Sequence, residues 1–152
     1  MEESKVTAYN DFIKALHLDS FIVLELSAKK EKDFSPPAVI KIENEPHYKN
    51  LGDKKFEAYV KYTLKATKKG DNKEGLIISV TYLVVYSSDI EINDDVFKPF
   101  SRSALVLHTW PYFRNFVHET TMLMGLPPLI LDAVPFGKNK QKKKIVKSDK
   151  SK

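Results

Sequence analysis

The chain contains no cysteine, which excludes disulfides, thiolate zinc sites and a cysteine nucleophile and fits a reducing cytoplasm. Glycine is scarce too. The five glycines, at 52, 70, 75, 125 and 137, nowhere gather into a phosphate cradle, and neither a G-x-G-x-x-G nor a Walker A sequence occurs. No apolar run approaches the ~20 residues of a membrane span, so no membrane insertion is expected. The opening MEESKVTAYN has no apolar stretch after its lysine and is not expected to act as a secretory signal.

Constellations for catalysis are missing as well. His118-Glu119-Thr120-Thr121-Met122 stops one residue short of H-E-x-x-H, and the missing second imidazole is the zinc ligand. His17, His47 and His108 fall on other elements. Ser101 and Ser103 flank Arg102 without a nucleophile-elbow context. Asp89, Glu91, Asp94 and Asp95 do not have calcium-loop spacing and read as a solvated helix entrance. The expectation is a non-enzyme with no metal and no cofactor.

The formal charge of +5 is unevenly spread. Residues 138–152 hold eight lysines and one aspartate, which is +7, so the rest of the chain carries 5 − 7 = −2. The high pI belongs to a tail on a mildly acidic body. That tail is expected to be disordered. As an alternative it could be an electrostatic arm for RNA or ribosomes, although it lacks the interleaved aromatics that stack on bases. The division is thus residues 1–137 as one domain and 138–152 as a Lys-rich tail.

What the chain does have is a pattern of strands followed by helices. Residues 1 to about 11 are polar and expected to fray. Leu16 to Leu26 alternates with period two, as does Phe56 to Ala66, whose even positions are Phe, Ala, Val, Tyr, Leu and Ala. Gly-Asp-Asn at 70–72 marks a hairpin loop, and Leu76 to Tyr86 is apolar on both faces apart from Ser79 and Thr81. Between the first two strands, Lys29 to Lys55 reads as a long crossover loop with unexplained apolar side chains. Asn93 or Asp94 is placed to cap a helix containing Pro99 and running to about His108. Trp110-Pro111 restarts or bends it. Phe113, Phe116, Val117, Thr120 and Met124 then recur on one helix face until Gly125 stops it. A short apolar run, Leu129 to Leu131, follows. The fold class is α+β: an antiparallel β-sheet with a long crossover loop and C-terminal helices packed on one face.

The stretch from Pro111 resembles the C-terminal part of the SecB-type export chaperones. The matching residues are Pro111, Tyr112, Arg114, Gly125, Pro127, Leu129, Leu131, Val134 and Phe136, with Asp132-Ala133-Val134-Pro135-Phe136 as a variant of the family's ending. The order of elements upstream agrees over roughly residues 12 to 137. This resemblance implies a cytoplasmic, ATP-independent holdase for unfolded polypeptides, assembled as a homotetramer, a dimer of dimers. It implies a client groove that includes Phe34, Val39, Ile40, Tyr48, Leu51, Leu129, Leu131 and Phe136. It implies an oligomer interface at Phe113, Phe116, Val117, Thr120 and Met124. Docking to a SecA-type translocase ATPase would involve Glu25. Two features depart from the family: the first strand, Phe21-Ile22-Val23-Leu24-Glu25, has lost most of its acid, and the last amphipathic helix is replaced by the lysine tail. Members that stand outside the export pathway serve other clients, including antitoxins. The alternative is an oligomeric adaptor domain that engages nucleic acid or the ribosome through its tail.

Overall fold

A computed structural model describes residues 2–135 and 143–145. The elements, in order, are α1 (Glu2–Ala15), β1 (Leu16–Lys30), β2 (Ala38–Gly52), β3 (Lys55–Lys68), β4 (Glu74–Ser88), α2 (Asp94–Arg102), α3 (Ala104–Leu123) and β5 (Lys143–Ile145). The sheet order is β1-β4-β3-β2-β5. The chain divides into two compact units. One comprises the described residues of 1–24, 45–61 and 81–109, and the other those of 25–44, 62–80 and 110–152.

The β3–β4 hairpin is the frame. On β3 the side chains of Phe56, Ala58, Val60, Tyr62, Leu64 and Ala66 are buried, and on β4 those of Leu76, Ile78, Val80, Tyr82, Val84 and Tyr86. The alternation in sequence thus becomes one covered sheet face. The intervening positions of β4, among them Ile77, Leu83 and Val85, are half-buried. Both strand faces are apolar, but only one is fully covered.

In the first unit that face is covered by aromatic rings. Phe12 of α1 and Phe100 of α2 pack on Phe56 at 5.9 and 6.0 Å, and Phe100 meets Tyr86 edge-on at 5.2 Å. Edge-to-face pairs at these separations are favourable beyond their buried area. α2 begins where Asn93 caps it: the side-chain oxygen accepts the Val96 N–H at 2.9 Å. The helix ends at Ser103, five residues before the expected boundary, and Ser103 Oγ donates to Pro99 O at 2.7 Å. α3 then runs without interruption through Trp110 and Pro111.

Three expectations change here. The polar N-terminus is a 14-residue helix rather than a frayed end. Glu2 and Glu3 in its first turn and Lys14 in its last complement the helix dipole, while Phe12 is its one buried residue, so almost no apolar period announces it. The region from Lys29 to Lys55 is mostly strand: β2 occupies Ala38–Gly52, and the connection from β1 shrinks to residues 31–37, which still cross from one side of the sheet to the other. Finally, β1 does not bury one face. Leu18, Ile22, Val23, Leu24 and Leu26 are between 45% and 58% exposed, because β1 is an edge strand and nothing described covers it. At the opposite edge β5 pairs antiparallel with β2, Ile145 facing Ala38 and Lys143 facing Ile40. Those three residues are the described part of the lysine tail; the remainder of 138–152 lies outside the described residues.

Candidate functional site

In the second unit, α3 from Trp110 onward and the segment that follows it form a single construction. Trp110 and Phe113 pack on Tyr62 at 5.5 and 5.0 Å and on each other at 5.6 Å. Gly125, at φ +73°, ends the helix in the left-handed conformation that glycine tolerates best. Leu126 N–H donates to Thr121 O and Gly125 N–H to Met122 O, at 3.0 and 3.1 Å, which satisfies the last carbonyls.

The chain then turns back along α3. Residues 127–132 belong to no strand, so their backbone groups need other partners. The helix supplies them from side chains. Thr121 Oγ1 accepts the Leu129 N–H at 3.0 Å, Arg114 Nε–H donates to Leu131 O at 2.9 Å, and Trp110 Nε1–H donates to Asp132 O at 2.8 Å. Positions 110, 114 and 121 fall four and seven apart, hence on one helix face. The Pro-bounded apolar run is therefore a strap laced to α3 and not a strand.

Lacing fixes which side chains point inward. Leu126, Leu129 and Leu131 are buried, whereas Ile130 is 62% exposed. Beside Ile130, a cavity of about 280 Å³ is lined by Pro111, Arg114, Asn115, His118, Ile130 and Leu131. The end of α3 adds exposed Met122 and Leu123, the latter 88% exposed, and the strap adds Val134. A second cavity, of about 300 Å³, lies in the first unit near the β2–β3 turn. Several of its polar groups are already paired: Lys54 with Asp89 and Asn50 with Glu91, both at 3.1 Å. Among the described residues no cluster of His, Asp and Glu could hold a metal ion.

The residues expected in a client groove scatter. Phe34, Ile40, Leu129 and Leu131 are core residues, closed to any partner in this structure. Phe34 covers Gly75, where even a Cβ would collide with its ring. Val39 is half-buried. Tyr48 is a strut between β2 and α2: its ring lies 4.6 Å from that of Phe97 and its hydroxyl donates to Asp94 at 2.7 Å. That bond to a carboxylate pushes the Tyr48 pKa up to about 12. Leu51 is exposed near the β2–β3 turn, and Phe136 lies outside the described residues. Of the expected interface set, Phe113, Val117 and Thr120 are buried within the chain, and Phe116 and Met124 are half-buried. Glu25 is exposed on β1.

Sequence reasoning missed the three lacing roles of Trp110, Arg114 and Thr121. The only signal was their shared helical face, and Thr121 had no apolar character to draw attention to it. It also missed the exposure of β1, which a reading for periodicity alone does not reveal.

No family model matches the sequence, and no curated protein matches it. Among solved structures, the Mycobacterium tuberculosis Rv1957 SecB-like chaperone, in complex with a ChAD peptide from the Rv1956 HigA1 antitoxin, aligns with a TM-score of 0.72. The sequences are 14% identical, and the alignment covers 86% of this chain and 99% of that one. A protein of unknown function from Streptococcus agalactiae aligns with a TM-score of 0.43 at 11% identity, covering 77% of this chain and 96% of the other. At 0.72 over nearly the whole of a SecB-like chaperone, the antiparallel sheet with its C-terminal helices is a divergent SecB-like fold.

Proposed function

We propose that this chain is an ATP-independent holdase that binds unfolded polypeptide, acting in the cytoplasm as a homo-oligomer. The observation that carries the reading is the SecB-like fold, shared over 86% of the chain with a chaperone whose structure contains a bound peptide. The exposed apolar side chains support it. A holdase works through many weak, unselective apolar contacts, each worth about 25 cal/mol per Å² buried, which add up along one client. Met122, Leu123, Ile130 and Val134 offer such contacts in the second unit, and they replace the buried members of the expected groove as the client-facing set.

β1 serves assembly in this reading. A long, uncovered, aliphatic edge strand is an aggregation liability unless another chain pairs with it. A second copy pairing edge to edge would cover Leu18, Ile22, Val23 and Leu24. Phe116 and Met124 remain accessible for a further contact that would complete a dimer of dimers. Delivery to a SecA-type translocase would use the exposed Glu25, but with so little acid left on β1 we favour a dedicated client, such as an antitoxin. The test is light scattering of a chemically unfolded protein on dilution, with and without the purified chain and with no nucleotide present. Suppression at a small molar excess is expected, and unchanged scattering at large excess refutes the proposal.

A further inference from the structure

We infer that the cavity between α3 and the strap is a carboxylate-recognition site that selects client segments bearing an acidic residue beside an apolar one; this rests on the holdase reading and specifies its client chemistry. The cavity is lined by Pro111, Arg114, Asn115 and His118 from one face of α3 and by Ile130 and Leu131 from the strap. Among the described residues that line it there is no acid. Arg114 is half-buried, and its Nε–H is committed to Leu131 O, which fixes the plane of the guanidinium and leaves the terminal N–H groups as a fork. No Asp or Glu among the described residues forms an ion pair with it. Asn115, next to Arg114 in sequence, adds an amide, and His118, one helical turn beyond Arg114, adds a polar ring.

The apolar part decides what would bind. Ile130 and Pro111 are exposed, and Leu131 forms a buried floor at 2% exposure. A wholly apolar client segment laid over Ile130 would strip water from the guanidinium and return nothing to it, which is unfavourable for a charged group. A Glu or Asp side chain on the same segment gives the fork a bidentate partner in a partly desolvated setting, where such pairs are strongest. The volume, about 280 Å³, suits one or two side chains rather than a drug-sized ligand.

The experiment uses the full chain and two fluorescein-labelled peptides, one alternating Leu with Glu and the other Leu with Gln, titrated by anisotropy at low and high salt. Wild type is expected to favour the Glu peptide by roughly tenfold at low salt, the ordinary advantage of a hydrogen-bonded charge pair, and by less at high salt. Asn115→Asp places a competing carboxylate beside Arg114 at an exposed position that leaves the core intact, and it is expected to remove the preference. Arg114→Met should do the same, and Asn115→Asp keeps the test valid if Arg114→Met fails to fold for loss of its strap bond. Equal affinities in wild type overturn the inference, as does a preference that survives in Asn115→Asp, since the lysine tail would then be its source. If neither peptide binds and an unfolded protein also aggregates unprotected, the holdase reading falls with it. If the unfolded protein is protected but the two peptides bind alike, only the carboxylate site falls.

Discussion

Thr121→Val isolates the lacing of the strap. Valine matches threonine in shape, so the cavity term that accompanies most core substitutions is absent. What changes is one oxygen. In the wild type Thr121 Oγ1 donates to Val117 O at 2.9 Å and accepts from the Leu129 N–H at 3.0 Å, and the side chain is fully buried. Val117 O keeps its place in the helix ladder, so losing the hydroxyl costs it little. Leu129 N–H has no strand or helix to fall back on, and a buried donor without an acceptor costs about 1–3 kcal/mol. In a chain of this size each kcal/mol lowers the melting temperature by about 2–4 °C. Thr121→Ser, which retains the oxygen, should recover most of the loss. Thermal melting followed by far-UV circular dichroism gives the stability, and hydrogen exchange at the Leu129 amide localises it. A Thr121→Val chain that melts with the wild type, with Leu129 still protected, would refute the idea that helix side chains hold the strap's backbone.

Other perturbations test other elements. Gly75→Ala drives a methyl into the Phe34 ring, and overpacking of this kind is expected to cost about 1–3 kcal/mol in a denaturant titration; the paired change Gly75→Ala, Phe34→Leu should be less damaging than Gly75→Ala alone. Asn93→Ala removes the α2 cap and should cost about 1 kcal/mol by the same assay. His108, half-buried with Nδ1 2.7 Å from the Tyr86 hydroxyl, is held below the ordinary histidine value of 6.5 by desolvation. The folded chain therefore takes up that proton less readily than the unfolded chain, so stability is full above pH 6.5 and is lost as pH falls below it. His108→Gln should flatten that part of a melting-temperature profile against pH. Leu24→Lys changes a residue exposed within the chain and should leave the melting transition of the monomer intact, while lowering the native mass measured by light scattering.

The β3–β4 hairpin was legible because burial on one face imposes period two on the sequence, and every even residue from Phe56 to Ala66 and from Leu76 to Tyr86 obeys it. β2 was illegible for the opposite reason. Its residues from Lys41 to Gly52 lie beyond the three-residue pairing with β5 and so at the sheet edge; they are half-buried or exposed, carry Lys41, Glu43, Glu45 and Lys49, and include Pro46, which an edge tolerates and a strand paired on both sides does not. Charge and proline on an edge block unwanted pairing, and the same devices erase the pattern by which strands are recognised. α1 shows only Phe12 to the core and so has no apolar stripe to read. The candidate site was half legible. The helix face from Phe113 to Met124 and the glycine stop followed from spacing alone. The strap's inward and outward residues did not, because residues without a ladder take their orientation from Thr121, Arg114 and Trp110, at a distance in sequence that no local pattern encodes.

The most direct test of the holdase reading is the mass of the complex with a permanently unfolded client, measured by size exclusion with multi-angle light scattering in nucleotide-free buffer. A single peak is expected whose mass equals a whole-number oligomer of the 17.4 kDa chain plus client. Two peaks, one of free client and one of free chain, at concentrations well above the micromolar range typical of weak multivalent capture, would contradict it.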